Sequence, residues 1–211
     1  MRPLFCCLLL LAIVAAAGCD DASNCMDCGG FLSEYLPTTS PENQIENFQM
    51  AYRKRDCQGY AKILAPEFIF KFQPLDANDI GTPFWTRDQD STGTCALFRS
   101  GEVSEIRLNL NSSGRDSSIN FPGTPLDSLN IRITPDLEVD QTDGTTWIVT
   151  DQQDMFFRKG IAANGEDPSC WFIYEWDDLP TLGSPRLSVN RPTWGRMKLL
   201  FQVAAIKGPA Q

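Results

Sequence analysis

Residues 40–72 (SPENQIENFQMAYRKRDCQGYAKILAPEFIFKF) constrain the fold of this chain more than any other stretch. Ser40 offers a hydroxyl to a free amide at a helix start. Pro41 suits the first helical position, where an N–H would go unpaired anyway. Ile45, Phe48 and Tyr52 recur at helical spacing and give one apolar face. Arg53, Lys54 and Arg55 then place positive charge at the helix end that the dipole favours. Asp56 is a cap for a second helix that buries Tyr60, Ile63 and Leu64. Pro66 stops it, and residues 67–72 follow as a β-rich run with Phe68, Phe70 and Phe72 on one face. Whatever comes later has to cover these apolar faces.

Residues 73–83 read as a loop. Thr86 and Gln89 have the spacing of a capping box and predict a third helix running toward Leu97 and Phe98. Gly93 in its middle costs roughly 1 kcal/mol relative to alanine, so that helix has to lean on packing. The apolar period then changes to two. Ile106, Leu108 and Leu110 alternate with polar residues, and residues 111–125, rich in Ser, Gly and Pro, predict a long loop. Leu129, Ile131, Ile133, Leu137 and Val139 keep one parity through Pro135, which predicts a bend or an edge there. Asp143-Gly144 is a hairpin turn. Residues 147–158 and 170–176 read as the closing strands. Short connections imply antiparallel pairing, and one-sided alternation implies one covered face. Helices first and strands after make an α+β domain, with the N-terminal helices packed on a curved antiparallel sheet. At the end, Trp194, Met197 and Phe201 share a helical face, so residues 193–202 predict a docking segment that closes the core.

The chain opens with Met1-Arg2, an unbroken apolar run over residues 4–14, and Ala15-Ala16-Ala17-Gly18-Cys19. The run is too short for a bilayer, which needs about 20 residues, and has the architecture of a signal peptide. Small residues directly before a cysteine resemble the lipobox of bacterial lipoproteins. That resemblance implies a leader over residues 1–18, a lipidated tether over 19–39 and a domain over 40–211. It places the chain in the bacterial cell envelope, outside the cytoplasm, held to the bilayer by an acylated Cys19. Removing Arg2 takes the net charge from −9 to −10. Such an acidic domain repels phosphate backbones, so nucleic acid is not an expected partner. Histidine is absent from the 211 residues, which excludes an imidazole base, a Ser-His-Asp triad and His-based metal sites. No cofactor or metal is expected.

Once the leader and Cys19 are set aside, Cys25, Cys28, Cys57, Cys95 and Cys170 remain, an odd number. Cys25 and Cys28 have CxxC spacing without the βαβ context of a redox motif, and read as a local disulfide in the tether. Cys57 and Cys95 each fall on an expected helix and can pair across the fold.

The order helix, helix, strand, helix, curved sheet resembles the nuclear transport factor 2-like superfamily. The segments that carry the resemblance are NFQMAY (47–52), DCQGY (56–60), LAPEF (64–68), FWTRD (84–88) and WFIYEWD (171–177). It implies a cystatin-like cone, with the sheet wrapped round the helices and a pocket at the open end. SnoaL-like and ketosteroid isomerase-like members of that superfamily are enzymes. A scheme of that type needs a carboxylate base beside acidic donors. Asp151 and Asp154, on opposite strand parities, and the helical Tyr52 and Tyr60 are the candidates. The tyrosines also sit at core-facing positions, where packing alone accounts for them. Asp177-Asp178 reads as a strand-end cap. Trp147, Phe156, Phe157, Trp171 and Trp176 are candidates to line the pocket or a contact face. The expected role is non-catalytic: binding of a small apolar ligand in the cone, or pairing of two copies through the sheet face. The alternative is a carboxylate-dependent isomerase, dehydratase or cyclase. The discriminating feature is an Asp or Glu deep in a pocket beside a Tyr, with nothing cationic neutralising it.

Overall fold

Ser40 does begin a helix. In the computed structural model, which describes residues 34–116, 128–179 and 192–207, the Ser40 hydroxyl accepts the Asn43 amide at 3.1 Å and α1 runs over Pro41–Lys54. Arg55 ends it in the left-handed conformation, φ 54°, with its N–H on the Tyr52 carbonyl at 3.1 Å. Asp56 then accepts the amides of Gln58 and Gly59, both at 3.0 Å, and starts α2, Cys57–Ile63. Ser40→Ala is expected to lower stability by about 1 kcal/mol, the usual worth of such a cap. A thermal melt beside the parent chain checks it.

Strand β1 spans Leu64–Lys71, earlier than expected, because α2 ends before Pro66 and the proline lies inside the strand. Its pairing register shifts between Leu64 and Ile69, the stretch where Pro66 has no N–H to donate. Residues 73–83 do not form a plain loop. Helix α3 covers Pro74–Ile80, opened by a proline in its first turn and closed by Gly81 at φ 80°. Strand β2, Phe84–Thr86, leads into α4, Arg87–Arg99, through the expected Thr86–Gln89 capping box. A disulfide between Cys57 and Cys95 joins α2 to α4. Cys170, which the sequence left without a partner, is disulfide-bonded as well. Cys19, Cys25 and Cys28, with the leader and most of the tether, lie outside the described residues.

The second half supplies β3 (Val103–Asp116), β4 (Ser128–Gln141), β5 (Thr146–Val149), β6 (Gln153–Lys159) and β7 (Trp171–Asp178). The sheet order is β2-β1-β7-β6-β4-β3, with β5 also on β4. Three differences from the sequence reading stand out. First, β3 continues to Asp116, into the stretch read as loop. Second, the expected strand over 147–158 is two strands. One half of β4 (128–133) pairs with β6 and the other half (137–140) with β5. Pro135 lies between the halves, where it has no amide to give a partner on that edge. Third, the pairing is antiparallel except between β1 and β7, which run parallel. Short connections dictate antiparallel neighbours only for strands adjacent in sequence, and most of the domain intervenes between these two.

The α+β layering is as expected: helices lie on one face of a curved sheet. The core joins Ile45, Phe48 and Tyr52 of α1 with Tyr60 and Ile63 of α2, Leu97 and Phe98 of α4, and the inward rows of the strands. The C-terminal segment adds a helix of its own, α5, Trp194–Lys207. Its Trp194, Met197 and Phe201 are buried in that same core. Two glycines bear on the packing around it. A Cβ at Gly195 would meet the Phe72 ring at 2.5 Å, and one at Gly93 of α4 would press on Trp85 at 3.1 Å and lie 3.6 Å from Lys198 Cβ. Gly93, a cost to α4 in isolation, is what lets α4 lie close on the Trp85 ring of β2, while toward α5 a Cβ there would make only ordinary contact. Among the described residues no helix is long and apolar enough to cross a membrane.

Candidate functional site

The interior between the helices and the curved sheet holds ionisable side chains in an aromatic setting. Phe48 and Tyr52 stack at 5.0 Å, and Tyr52 meets Tyr60 edge-on at 5.8 Å. Trp176 of β7 packs against Phe48 at 5.2 Å, Phe70 at 5.1 Å and Trp194 at 4.8 Å. Within this shell Asp90 of α4 accepts the Tyr60 hydroxyl and the Lys198 ammonium, each at 2.5 Å. Lys198 also reaches the Tyr60 oxygen at 3.2 Å, and both Asp90 and Lys198 are 0% exposed. Burial lowers the Lys198 pKa, and the charges of Asp90 and Asp178 oppose that shift. Burial raises the Tyr52 and Tyr60 hydroxyls well above their ordinary value, and the Asp90 charge adds to the effect. Neither tyrosine therefore ionises near neutrality. Tyr52 instead accepts the Trp194 indole N–H at 3.0 Å.

A second polar run anchors the start of α5. Trp176 donates its indole N–H to Gln153 at 2.5 Å, and Gln153 donates to Asp178 at 2.7 Å. Asp178 accepts the Gly195 amide at 3.3 Å. Thr193 donates to Asp76 and accepts the Arg196 amide at 3.1 Å. Arg196 pairs with Asp76 at 3.3 Å and with Asp79 at 2.9 Å. Burial pushes the Asp178 carboxyl up to about 7.

The sequence candidates are scattered by this arrangement. Tyr52 and Tyr60 reach the interior. Asp154 does not: it faces outward with Arg132, which donates to it through two nitrogens at 2.8 and 2.7 Å. Asp151 precedes β6 rather than lying in it. Trp176 is fully buried, and Trp147 is half-buried against Phe201 at 5.4 Å. Trp171 lies at the core margin with the Lys159 ammonium 5.8 Å from its ring. Phe157 is buried, while Phe156 lies on the outer face beside Tyr174 at 6.1 Å. That outer face has its own buried charge. Arg158, 0% exposed, bonds Glu67 at 2.5 Å and Glu166 at 2.7 Å over the Ala65, Cys170 and Phe172 cluster. Asp177, the next-to-last residue of β7, lies beside Lys71, and burial moves it up to about 6.

Asp90 and Lys198 were not singled out from the sequence, and Asp178 was read there only as part of a strand-end cap. The signal was present in the spacing: Lys198 is four residues from Trp194 and three from Phe201, so it shares their helical face. Asp90 relates to Leu97 in the same way as Trp194 to Phe201. Among the described residues no cluster of three or more Cys, Asp and Glu side chains has the form of a metal site.

A surface groove of about 510 Å³ lies between the end of α1 and the outer side of β3 and β4. Arg53, Arg55 and Arg107 face Glu105, Asp136 and Glu138 there. Its charges balance, and Arg107 is already bound by Glu105, Glu138 and Asp140 at 2.6 Å each.

No family model matches the chain, and no curated protein is similar to it in sequence. The chain is similar to several solved structures. A conserved protein from Planctomyces limnophilus is 14% identical, with 65% of this chain and 91% of that one covered at a TM-score of 0.49. A nuclear transport factor 2-like superfamily protein from Salmonella enterica is 14% identical, covering 69% and 92% at 0.46. A cystatin-like fold protein from Caulobacter vibrioides is 13% identical, covering 64% and 83% at 0.44. At such identities no residue role passes from them to this chain.

Proposed function

We propose that this chain is a lipoprotein of the bacterial envelope, held to the membrane through Cys19, whose cone-shaped domain binds rather than catalyses. One observation carries the non-catalytic reading. The carboxylate deepest in the cone and beside a tyrosine, Asp90, is neutralised by Lys198 at 2.5 Å, and the helix that brings Lys198 fills the interior. A general base needs a free lone pair within reach of substrate. Here the two ends of the carboxylate are taken by an ammonium and a phenol. The anchoring reading is supported by the apolar run over residues 4–14 and the small residues ahead of Cys19.

Carbodiimide coupling of glycine ethyl ester, read by peptide mass spectrometry, tests the closed interior. Asp79 and Glu67, partly open to solvent, are expected to label while Asp90 stays unmodified. Labelling of Asp90 at the rate of those two would return the domain to the catalytic alternative, a carboxylate-dependent isomerase, dehydratase or cyclase. For the anchor, a bacterium fed an alkyne fatty acid is expected to label the parent chain and leave Cys19→Ser unlabelled in the soluble fraction. Equal labelling of both chains would remove Cys19 from the reading.

A further inference from the structure

The surroundings of the Lys198 ammonium have the make-up of a ligand site. Beyond the Asp90 carboxylate, the nitrogen lies 4.4 Å from the centre of the Trp176 ring, 4.6 Å from that of Phe70 and 5.6 Å from that of Tyr60. Rings on several sides attract a cation through their quadrupoles, most strongly where water is excluded. The anion at one end supplies a charge-assisted hydrogen bond. Of these groups Asp90, Tyr60, Phe70 and Trp176 come from α4, α2, β1 and β7. All four are 0% exposed. None of them belongs to α5. The cage is therefore a property of the rest of the domain, and α5 contributes only the cation that sits in it.

A lysine used purely as core filler has no need of this. Methionine already serves that purpose one residue earlier, and bringing an ammonium out of water costs several kcal/mol unless its new partners compensate. Here the partners are those that recognise an alkylammonium on an apolar arm. Resting on the non-catalytic reading above, we propose that the cone contains a binding site for primary alkylammonium ligands, formed by Asp90, Trp176, Phe70 and Tyr60, and that Lys198 occupies it as an internal ligand. The apolar arm of such a ligand would follow the path of the lysine methylenes. A ligand with more than one methyl group on nitrogen would lose hydrogen bonds to Asp90 and Tyr60.

The test deletes the internal ligand and returns it as a free molecule. Lys198→Ala removes three methylenes and the ammonium, which n-propylammonium replaces atom for atom. Addition of n-propylammonium chloride at ten times its dissociation constant is expected to raise the Tm of Lys198→Ala by about 4 °C, since a ligand that binds only the folded state stabilises it. Sodium chloride at equal ionic strength and 1-propanol are expected to leave it unchanged. The response should vanish in Lys198→Ala/Asp90→Asn and in Lys198→Met, whose side chain fills the space. A folded Lys198→Ala that ignores n-propylammonium, or that responds equally to 1-propanol, overturns the proposal.

Should Lys198→Ala fail to fold, the parent chain gives the reading by competition. Amide exchange over residues 194–202 is expected to quicken about tenfold at ten times the dissociation constant of the amine, because the ligand holds the state from which α5 has withdrawn. Unchanged exchange in that case overturns it. The two readings fail separately: an Asp90 that labels freely removes the closed cone, whereas an unlabelled Asp90 with an unresponsive cage removes only the amine site.

Discussion

Lys198→Ala, without added amine, is expected to lose about 3–5 kcal/mol of folding stability, which is the usual cost of removing one partner of a buried ion pair. The loss combines two effects. The Asp90 carboxylate is left uncompensated where both partners were 0% exposed. A cavity also opens between α4 and α5, beside Trp176 and Phe70, and a void of that kind adds its own penalty. Asp90→Ala should cost a similar amount, because it strands an ammonium among aromatic rings. The double replacement Lys198→Met/Asp90→Leu is expected to fall within about 1–2 kcal/mol of the parent, since apolar groups of matched volume remove the desolvation cost along with the attraction. Urea denaturation of the four chains measures all of this. If the single replacements cost under 1 kcal/mol, α5 is not seated in the core as described, and the closed interior goes with it.

This cluster also marks where sequence reasoning stops. The starts of α1, α2 and α4 were legible because their signals are local. Ser40 with Pro41, Asp56, and Thr86 with Gln89 act within one turn of themselves, and the chain obeys them. α3 was not legible, since seven residues are too few to display a period and only Pro74 and Gly81 mark its ends. The parallel β1–β7 pair and the break between β5 and β6 depend on partners remote in sequence, Trp176 opposite Phe70 and Pro135 beside the gap. The polar interior is the same case. Asp90, Gly93, Thr94 and Leu97 fall on one buried face of α4. Trp194, Met197, Lys198 and Phe201 do so on α5. Read singly, Asp90 and Lys198 are the residue types least often buried. Only when the two helices meet do they explain each other. Tyr60, expected at a core-facing position, was legible because its apolar body places it and its polar tip then has to find a partner.

Stability is expected to fall as the pH rises from about 4 to 7, with Asp178 responsible for most of the change. Burial drives its carboxyl from 3.8 up to about 7, against hydrogen bonds from Gln153 and the Gly195 amide that favour the anion, while the charges of Asp151 and Asp76 add to the rise. Below pH 3.8 the group is protonated in both folded and unfolded chains and costs nothing. Between the two values the unfolded chain has released the proton while the folded chain retains it, so each step upward favours unfolding. Above 7 the penalty is complete. A shift from 3.8 to about 7 corresponds to roughly 4 kcal/mol, at about 1.36 kcal/mol per pH unit. Asp177, raised to about 6 but partly open to solvent, adds a smaller step of the same sign. Asp56 and Glu67, held below their ordinary values, act the other way. Their contribution is lost as the pH drops through the acid end, so the profile should peak near pH 4–5. Asp178→Asn should flatten the slope between 4 and 7 and cross the parent curve, less stable at pH 4 and more stable at pH 8, with urea midpoints as the readout. The opposing force is the start of α5 itself. A helix N-terminus favours an anion, and Asp178 faces one through the Gly195 amide at 3.3 Å. A parent profile that climbs steadily from pH 4 to 7 would mean that this field outweighs burial and holds Asp178 ionised, with α5 then latched by a carboxylate rather than by a neutral acid.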